Sequence, residues 1–231
     1  MGNVIGKERM MKLKLVFHIL ISLIGFVSVV LHIVYSPDPM TSITKYTAQT
    51  NLIVSITFFL SSLAILWIKD QIPFIDFLKN ASVIYMTVCF FTYHFLLASA
   101  GEYSGIRVIT NFTLHYLIPM LVVMNWLVFE KKKKHSYKFI FYWMIYPIIY
   151  CIVSSLRGLL DGYYPYFFLN PNVGLPAGVG SYSNVVWFII AFLIVFAILG
   201  YLLITFNRIT LFISNKSKPS SKHNMRKTNV F

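Results

Sequence analysis

Residues 185–206 read VVWFIIAFLIVFAILGYLLITF, twenty-two positions without one charged side chain. A helix of that length rises about 33 Å, enough to cross the roughly 30 Å hydrocarbon core of a bilayer. Five further stretches of the same kind precede it: Leu15–Tyr35, Thr47–Ile68, Ala81–Ala100, Phe112–Phe129 and Phe139–Leu156. None shows strand-like alternation, and a backbone in lipid must satisfy its own hydrogen bonds, so all six are read as helices. The whole chain of 231 residues agrees, being 58% hydrophobic and only 12% charged, where soluble domains carry about 25% charged residues. Its mean hydropathy is +0.71. The fold class is therefore all-α, a polytopic membrane protein with six transmembrane helices. Soluble enzymes, secreted disulfide scaffolds and nucleic-acid-binding domains are excluded. Cys89 and Cys151 both fall inside spans and offer no disulfide framework. The first span is followed by Tyr35-Ser36-Pro37-Asp38-Pro39 rather than a small-residue cleavage site, so it is read as retained.

The net charge of +13 is a topology signal, not a nucleic-acid signal. With the N-terminus inside, segments 1–14, 69–80, 130–138 and 207–231 hold 17 of the 20 Lys and Arg residues. The outer loops hold only Lys45, Arg107 and Arg157. That bias predicts both termini in the cytoplasm. The chain then divides into a basic N-terminus (1–14), a membrane domain (15–206) and a basic, mobile tail (207–231). The run Lys131-Lys132-Lys133-Lys134 and the tail are expected to contact anionic lipids at the cytoplasmic face.

Polar groups inside a membrane are expensive and face a protein interior or a cavity. Here they gather at the outer ends of the spans: His32 on the first, Thr47, Gln49, Thr50 and Asn51 on the second, His94 on the third, Asn111 and His115 on the fourth. The inner halves offer only His18 and scattered hydroxyls. Thr47, Thr50 and Asn51 stand at i, i+3 and i+4 and share a face. Asn111 and His115 are one turn apart, the histidine about 6 Å deeper. Pro119 lacks an N–H and disturbs the helix at His115. A polar pocket opening toward the outer leaflet explains this asymmetry. Plainer explanations exist for each member: membrane histidines bond neighbouring helices, and Thr or Asn at a helix start caps it. No metal cluster or cofactor motif accompanies these residues. The longest connection, Arg157–Ser183, carries Tyr164-Pro165-Tyr166-Phe167-Phe168-Leu169-Asn170-Pro171, an aromatic, proline-stiffened segment that reads as a lid or an interfacial anchor.

Taken in order, Lys45-Tyr46-Thr47-Ala48-Gln49-Thr50-Asn51-Leu52, Asn111-x3-His115-x3-Pro119, Asn125-Trp126 and the Tyr164–Pro171 segment resemble a family of six-span bacterial membrane proteins. More distantly they resemble the androgen-induced gene and androgen-dependent TFPI-regulating proteins. The resemblance covers about residues 12–206. It implies an intramembrane threonine hydrolase that cleaves fatty acid esters of hydroxy fatty acids, sited in a bacterial plasma membrane. On that likeness His115 takes the place of the family's histidine and Thr47 that of its threonine. The spacing to Asn51 is one residue longer here, so Thr50 stays a rival nucleophile.

The expected chemistry is attack by the Thr47 hydroxyl on an ester carbonyl, with His115 as general base and acid. Asn111 or a backbone carbonyl would orient the imidazole, and Gln49 or Asn51 would stabilise the oxyanion. His32, His94 and Tyr164 complete the expected pocket. A non-catalytic lipid-binding or transport protein shares the polar asymmetry, and a haem protein would use His32, His94 or His115 as axial ligands. No Asp, Glu, Lys or Arg falls within the expected spans to mark an ion path.

Overall fold

A computed structural model describes residues 2–68, 72–99 and 103–216, with side chains from residue 5 onward. It is 81% helical, with no strand among the described residues. In chain order the helices are α1 (Gly2–Val34), the short α2 (Pro39–Ile43), α3 (Tyr46–Ile68), α4 (Pro73–Leu97), α5 (Ile106–Val128), α6 (Phe139–Asp161) and α7 (Tyr182–Lys216). All except α2 are long and apolar enough to cross a bilayer. The protein is an integral membrane protein with six spans.

Several boundaries differ from those read in the sequence. Helix α4 begins at Pro73 rather than Ala81, because proline's fixed φ suits a first helical position. The segment expected as a basic N-terminus continues α1, and 207–216 of the expected tail continue α7. The rest of the tail, which the sequence reads as mobile, lies outside the described residues, as do 69–71 and 100–102. The longer helices bring charges into their ends: Lys14, Asp76, Lys79, Arg107, Arg157 and Asp161 are all helical. At the end of the bundle that carries Lys131–Lys134, Lys14 Nζ lies 3.0 Å and Lys79 Nζ 2.6 Å from the two Glu130 carboxylate oxygens. Asp76 pairs with Lys79 at 3.1 Å and also with Lys133. His18 Nε2 meets Asn125 Oδ1 at 2.9 Å. The basic residues here are thus partly internal, and ion pairs knit α1, α4 and α5 together.

Helix α1 packs closely along α3. A Cβ on Gly25 would lie 2.5 Å from Ser55 Oγ, and Ser22 Oγ donates to the Ser55 carbonyl at 2.9 Å. Small residues allow such approach where lipid supplies no hydrophobic drive between helices. The apolar centre contains Ile21, Val54, Phe58, Met86, Ile118, Val122, Trp143 and Ile204. At the opposite end, the connection between α6 and α7 folds back over the bundle. Gly162, at φ 77°, ends α6 in the left-handed conformation that glycine favours. Phe168 and Leu169 are buried against Tyr150, Val179 and Val185. The Tyr164 ring fills the space where a Gly158 side chain would stand. Gly158→Ala is expected to push that ring away and cost about 1–3 kcal/mol, as overpacking does. A lowered melting temperature in detergent checks this, and an unchanged one shows that the ring is not held there.

Candidate active site

Helices α4 and α5 each widen into a π turn near this end of the bundle, over Tyr93–Leu97 and Thr113–Leu117. Such single wide turns recur at functional sites because they redirect side chains locally. The disturbance expected at Pro119 takes this form, since the turn ends just before it. The two turns bring the Tyr93 ring flat against the His115 imidazole, with centroids 3.8 Å apart and planes 19° from parallel.

His115 is 5% exposed. Its Nδ1 lies 2.9 Å from the Asn111 backbone carbonyl, one turn earlier. A carbonyl only accepts, so Nδ1 carries the proton and Nε2 presents a lone pair. That Nε2 is 3.1 Å from Thr47 Oγ1. The Thr47 hydroxyl therefore donates to His115, which leaves its own lone pairs directed elsewhere. One of them accepts from the Cys89 thiol, Sγ to Oγ1 3.7 Å. The Thr47 amide donates to the Tyr166 hydroxyl at 3.4 Å. Burial pushes the Tyr166 phenol well above its usual range, so it stays protonated beside Thr47.

The other expected site residues separate clearly. Asn51 Nδ2 donates to the Thr47 carbonyl at 2.9 Å and to the Leu114 carbonyl at 3.2 Å. Both its donor hydrogens are spent bracing α3 against α5, so it is no oxyanion donor. Gln49 faces α6, donating to the Thr44 carbonyl and accepting from the Tyr146 hydroxyl at 3.1 Å. It too is away from the pair. Thr50 Oγ1 donates back to the Tyr46 carbonyl at 2.8 Å, and the His115 hydrogen bonds go to Thr47 and Asn111 instead. Asn111 also donates its side-chain amide to the Tyr93 hydroxyl. His32 meets Thr110 Oγ1 at 3.1 Å and lines the same cavity as His115. His94 lies on the exposed surface of α4, 3.3 Å from the Tyr116 hydroxyl, and does not reach the cavity. Tyr164 packs on Gly158, and its neighbours Pro165, Tyr166 and Phe167 line the cavity instead.

Thr47 stands where two spaces of different chemistry meet. One is a chamber of about 290 Å³ that includes His32, Lys45, Tyr103, His115 and Tyr166. The other is a narrow apolar slot of about 50 Å³ between α4, α6 and α7, walled by Val88, Pro147, Cys151, Phe192 and Phe196 among others. Thr47, Tyr93, Leu97 and Tyr166 border both. Lys45 is the charged residue on the chamber wall, and no carboxylate among the described residues pairs with it. Burial, with the nearby Arg107 charge, draws its ammonium below the usual lysine range. Four contributors to the site, Lys45, Cys89, Tyr93 and Tyr166, were not picked out as candidates in the sequence. Cys89 and Tyr93 are one turn apart on α4, a spacing that would have grouped them. Tyr166 reaches Thr47 only through the fold of its loop. Comparison of the chain with protein-family models, with curated proteins and with solved structures returned no match.

Proposed function

We propose that this protein is an intramembrane ester hydrolase acting on lipids through Thr47 and His115. The observation that carries the reading is the 3.1 Å approach of Thr47 Oγ1 to His115 Nε2, with Nδ1 of the same ring held by a carbonyl. A threonine hydroxyl is a weak nucleophile until a base takes its proton. In the first half-reaction Thr47 Oγ1 bonds to the ester carbonyl carbon as its proton passes to His115 Nε2. The carbonyl oxygen becomes an oxyanion, and the Tyr166 O–H is the donor best situated to meet it. Collapse breaks the bond to the alcohol oxygen, which leaves with the proton from His115. Water then attacks the acyl-threonine with His115 again as base, releasing the acid and restoring the hydroxyl.

The two spaces beside Thr47 suit an amphiphilic ester, the first carbons of its acyl chain at the slot and its polar end in the chamber. Lys45 matches a free carboxylate there, as the fatty acid esters of hydroxy fatty acids implied by the resemblance possess. Lys45→Gln is expected to raise KM about tenfold for such a substrate, the loss of roughly 1.4 kcal/mol, with kcat within about twofold. The same variant should not discriminate against the methyl ester of that substrate. A kcat loss with unchanged KM would remove Lys45 from substrate binding.

Hydrolysis of fatty acid esters of hydroxy fatty acids by purified protein tests the reading, comparing wild type with Thr47→Ala, Thr50→Ala and His115→Ala. Cleavage lost with Thr47→Ala and His115→Ala but kept with Thr50→Ala is the expected pattern. Cleavage that survives both dyad substitutions ends the proposal.

A further inference from the structure

At the basic end of the bundle, on a face separate from the Thr47 site, a groove of about 420 Å³ opens between α4, α5 and α7. Val83, Ile84, Val123, Trp126, Leu202 and Phe206 form much of its wall. Two hydroxyls border it, and both are satisfied within the protein. Thr87 Oγ1 donates to the Val83 carbonyl at 2.7 Å, and Thr205 Oγ1 pairs with the Tyr137 hydroxyl at 3.2 Å. The groove wall thus offers little for water to bond, and an ordered water needs about two to four polar partners. On the flank of a membrane-spanning helix bundle, an acyl chain is what remains to fill it.

The rim of the groove is cationic in a specific way. Of the basic residues at this end, Lys14, Lys79 and Lys133 are committed to Glu130 and Asp76. Lys132 is not: no carboxylate among the described residues pairs with it. Its Nζ lies 4.0 Å from the Trp126 ring centroid and 5.6 Å from that of Phe206, and it donates to the Trp126 carbonyl. Both rings belong to the groove wall. A cation fixed over two rings of an apolar channel is the complement of one amphiphile, an anion joined to a long hydrocarbon.

We propose that this groove binds a single anionic phospholipid of the adjacent leaflet, one acyl chain lying between α5 and α7 and the phosphate held by Lys132. The site differs from general attraction to a basic surface, because it has a fixed stoichiometry and depends on particular residues. Native mass spectrometry of the full chain, released from detergent with phosphatidylglycerol or phosphatidylcholine of identical acyl chains, tests it. Wild type is expected to retain one phosphatidylglycerol at least about tenfold more tightly than phosphatidylcholine, a difference of about 1.4 kcal/mol. Lys132→Gln should abolish that preference, whereas Lys131→Gln, at an exposed position off the groove, should keep it. Leu202→Trp, at a position 54% exposed toward lipid, should fill the channel and lose both lipids without changing the melting temperature. Equal retention of the two lipids by wild type overturns the proposal. So does an equal loss of preference in the Lys131 and Lys132 variants, which would reduce the effect to diffuse charge, or unchanged lipid retention in Leu202→Trp.

Discussion

Thr47→Ala is expected to abolish lipid ester cleavage, and His115→Ala to reduce it by more than about 1,000-fold. Thr47 Oγ1 is the only hydroxyl hydrogen-bonded to His115 among the described residues, so no neighbour can replace it. Thr50 is the nearest candidate in sequence, but its Oγ1 is turned to the Tyr46 carbonyl. Thr47→Ser keeps the oxygen and loses the methyl that fixes the rotamer, so it should retain measurable activity. The base explains why His115→Gln should fail like His115→Ala: an amide offers Thr47 an acceptor of similar reach but does not take its proton. None of these substitutions should unfold the protein, since Asn51 bridges the Thr47 and Leu114 carbonyls without the Thr47 and His115 side chains. Ester cleavage by purified variants, with melting temperature as the control, separates lost chemistry from lost structure. Activity in Thr47→Ala at the wild-type level would eliminate the threonine mechanism.

What was legible in the sequence follows from which physical signals are local. Six spans were readable because each is a long, largely apolar run without a charged side chain, a composition that burial in lipid imposes. Depth was readable too, since rise per residue is fixed; it brought His32, Thr47 and His115 to the same end of the bundle, where the structure joins them in a shared hollow. Facing was not readable. His94 lies at the same level as Tyr93, yet a neighbour on a helix points elsewhere, and the exposed side of α4 received the histidine. Gln49 and Asn51 have the right chemistry for an oxyanion hole, but Tyr146 and the Leu114 carbonyl, both distant in sequence, claim their polar atoms. The beginning of α4 was missed for a related reason. Asp76 and Lys79 resemble a charged loop until Glu130, Lys14 and Lys133 supply partners from elsewhere in the chain. A composition window cannot see a charge neutralised by another helix.

That ion cluster supports the second large expectation. Glu130→Gln should lower stability by about 3 kcal/mol, because removing one member of a buried pair leaves the other charges uncompensated. The side chains of Lys14 and Lys79 are 16% and 6% exposed, and Glu130 is 12% exposed. Burial alone would raise the Glu130 carboxyl; the hydrogen bond from His18 and the Lys79 and Lys14 charges outweigh it and hold the group below the usual carboxylate range. The sign for pH follows. A depressed folded-state pKa gives stability that is complete above the unfolded carboxylate value near 4.3 and is lost as pH falls toward the folded value. Wild type should therefore lose melting temperature on acidification below about pH 4.3, and Glu130→Gln should show a smaller loss there. At neutral pH the variant should melt about 6–12 °C lower, the usual conversion for a chain of this size. Replacing Lys14 with methionine in the Glu130→Gln background should recover part of that loss, since one stranded ammonium is removed and an apolar chain of similar length takes its space. A Glu130→Gln protein as stable as wild type at neutral pH would mean that the cluster contributes nothing to holding α1, α4 and α5 together, and that their packing rests on apolar contacts and hydrogen bonds such as that of His18 with Asn125.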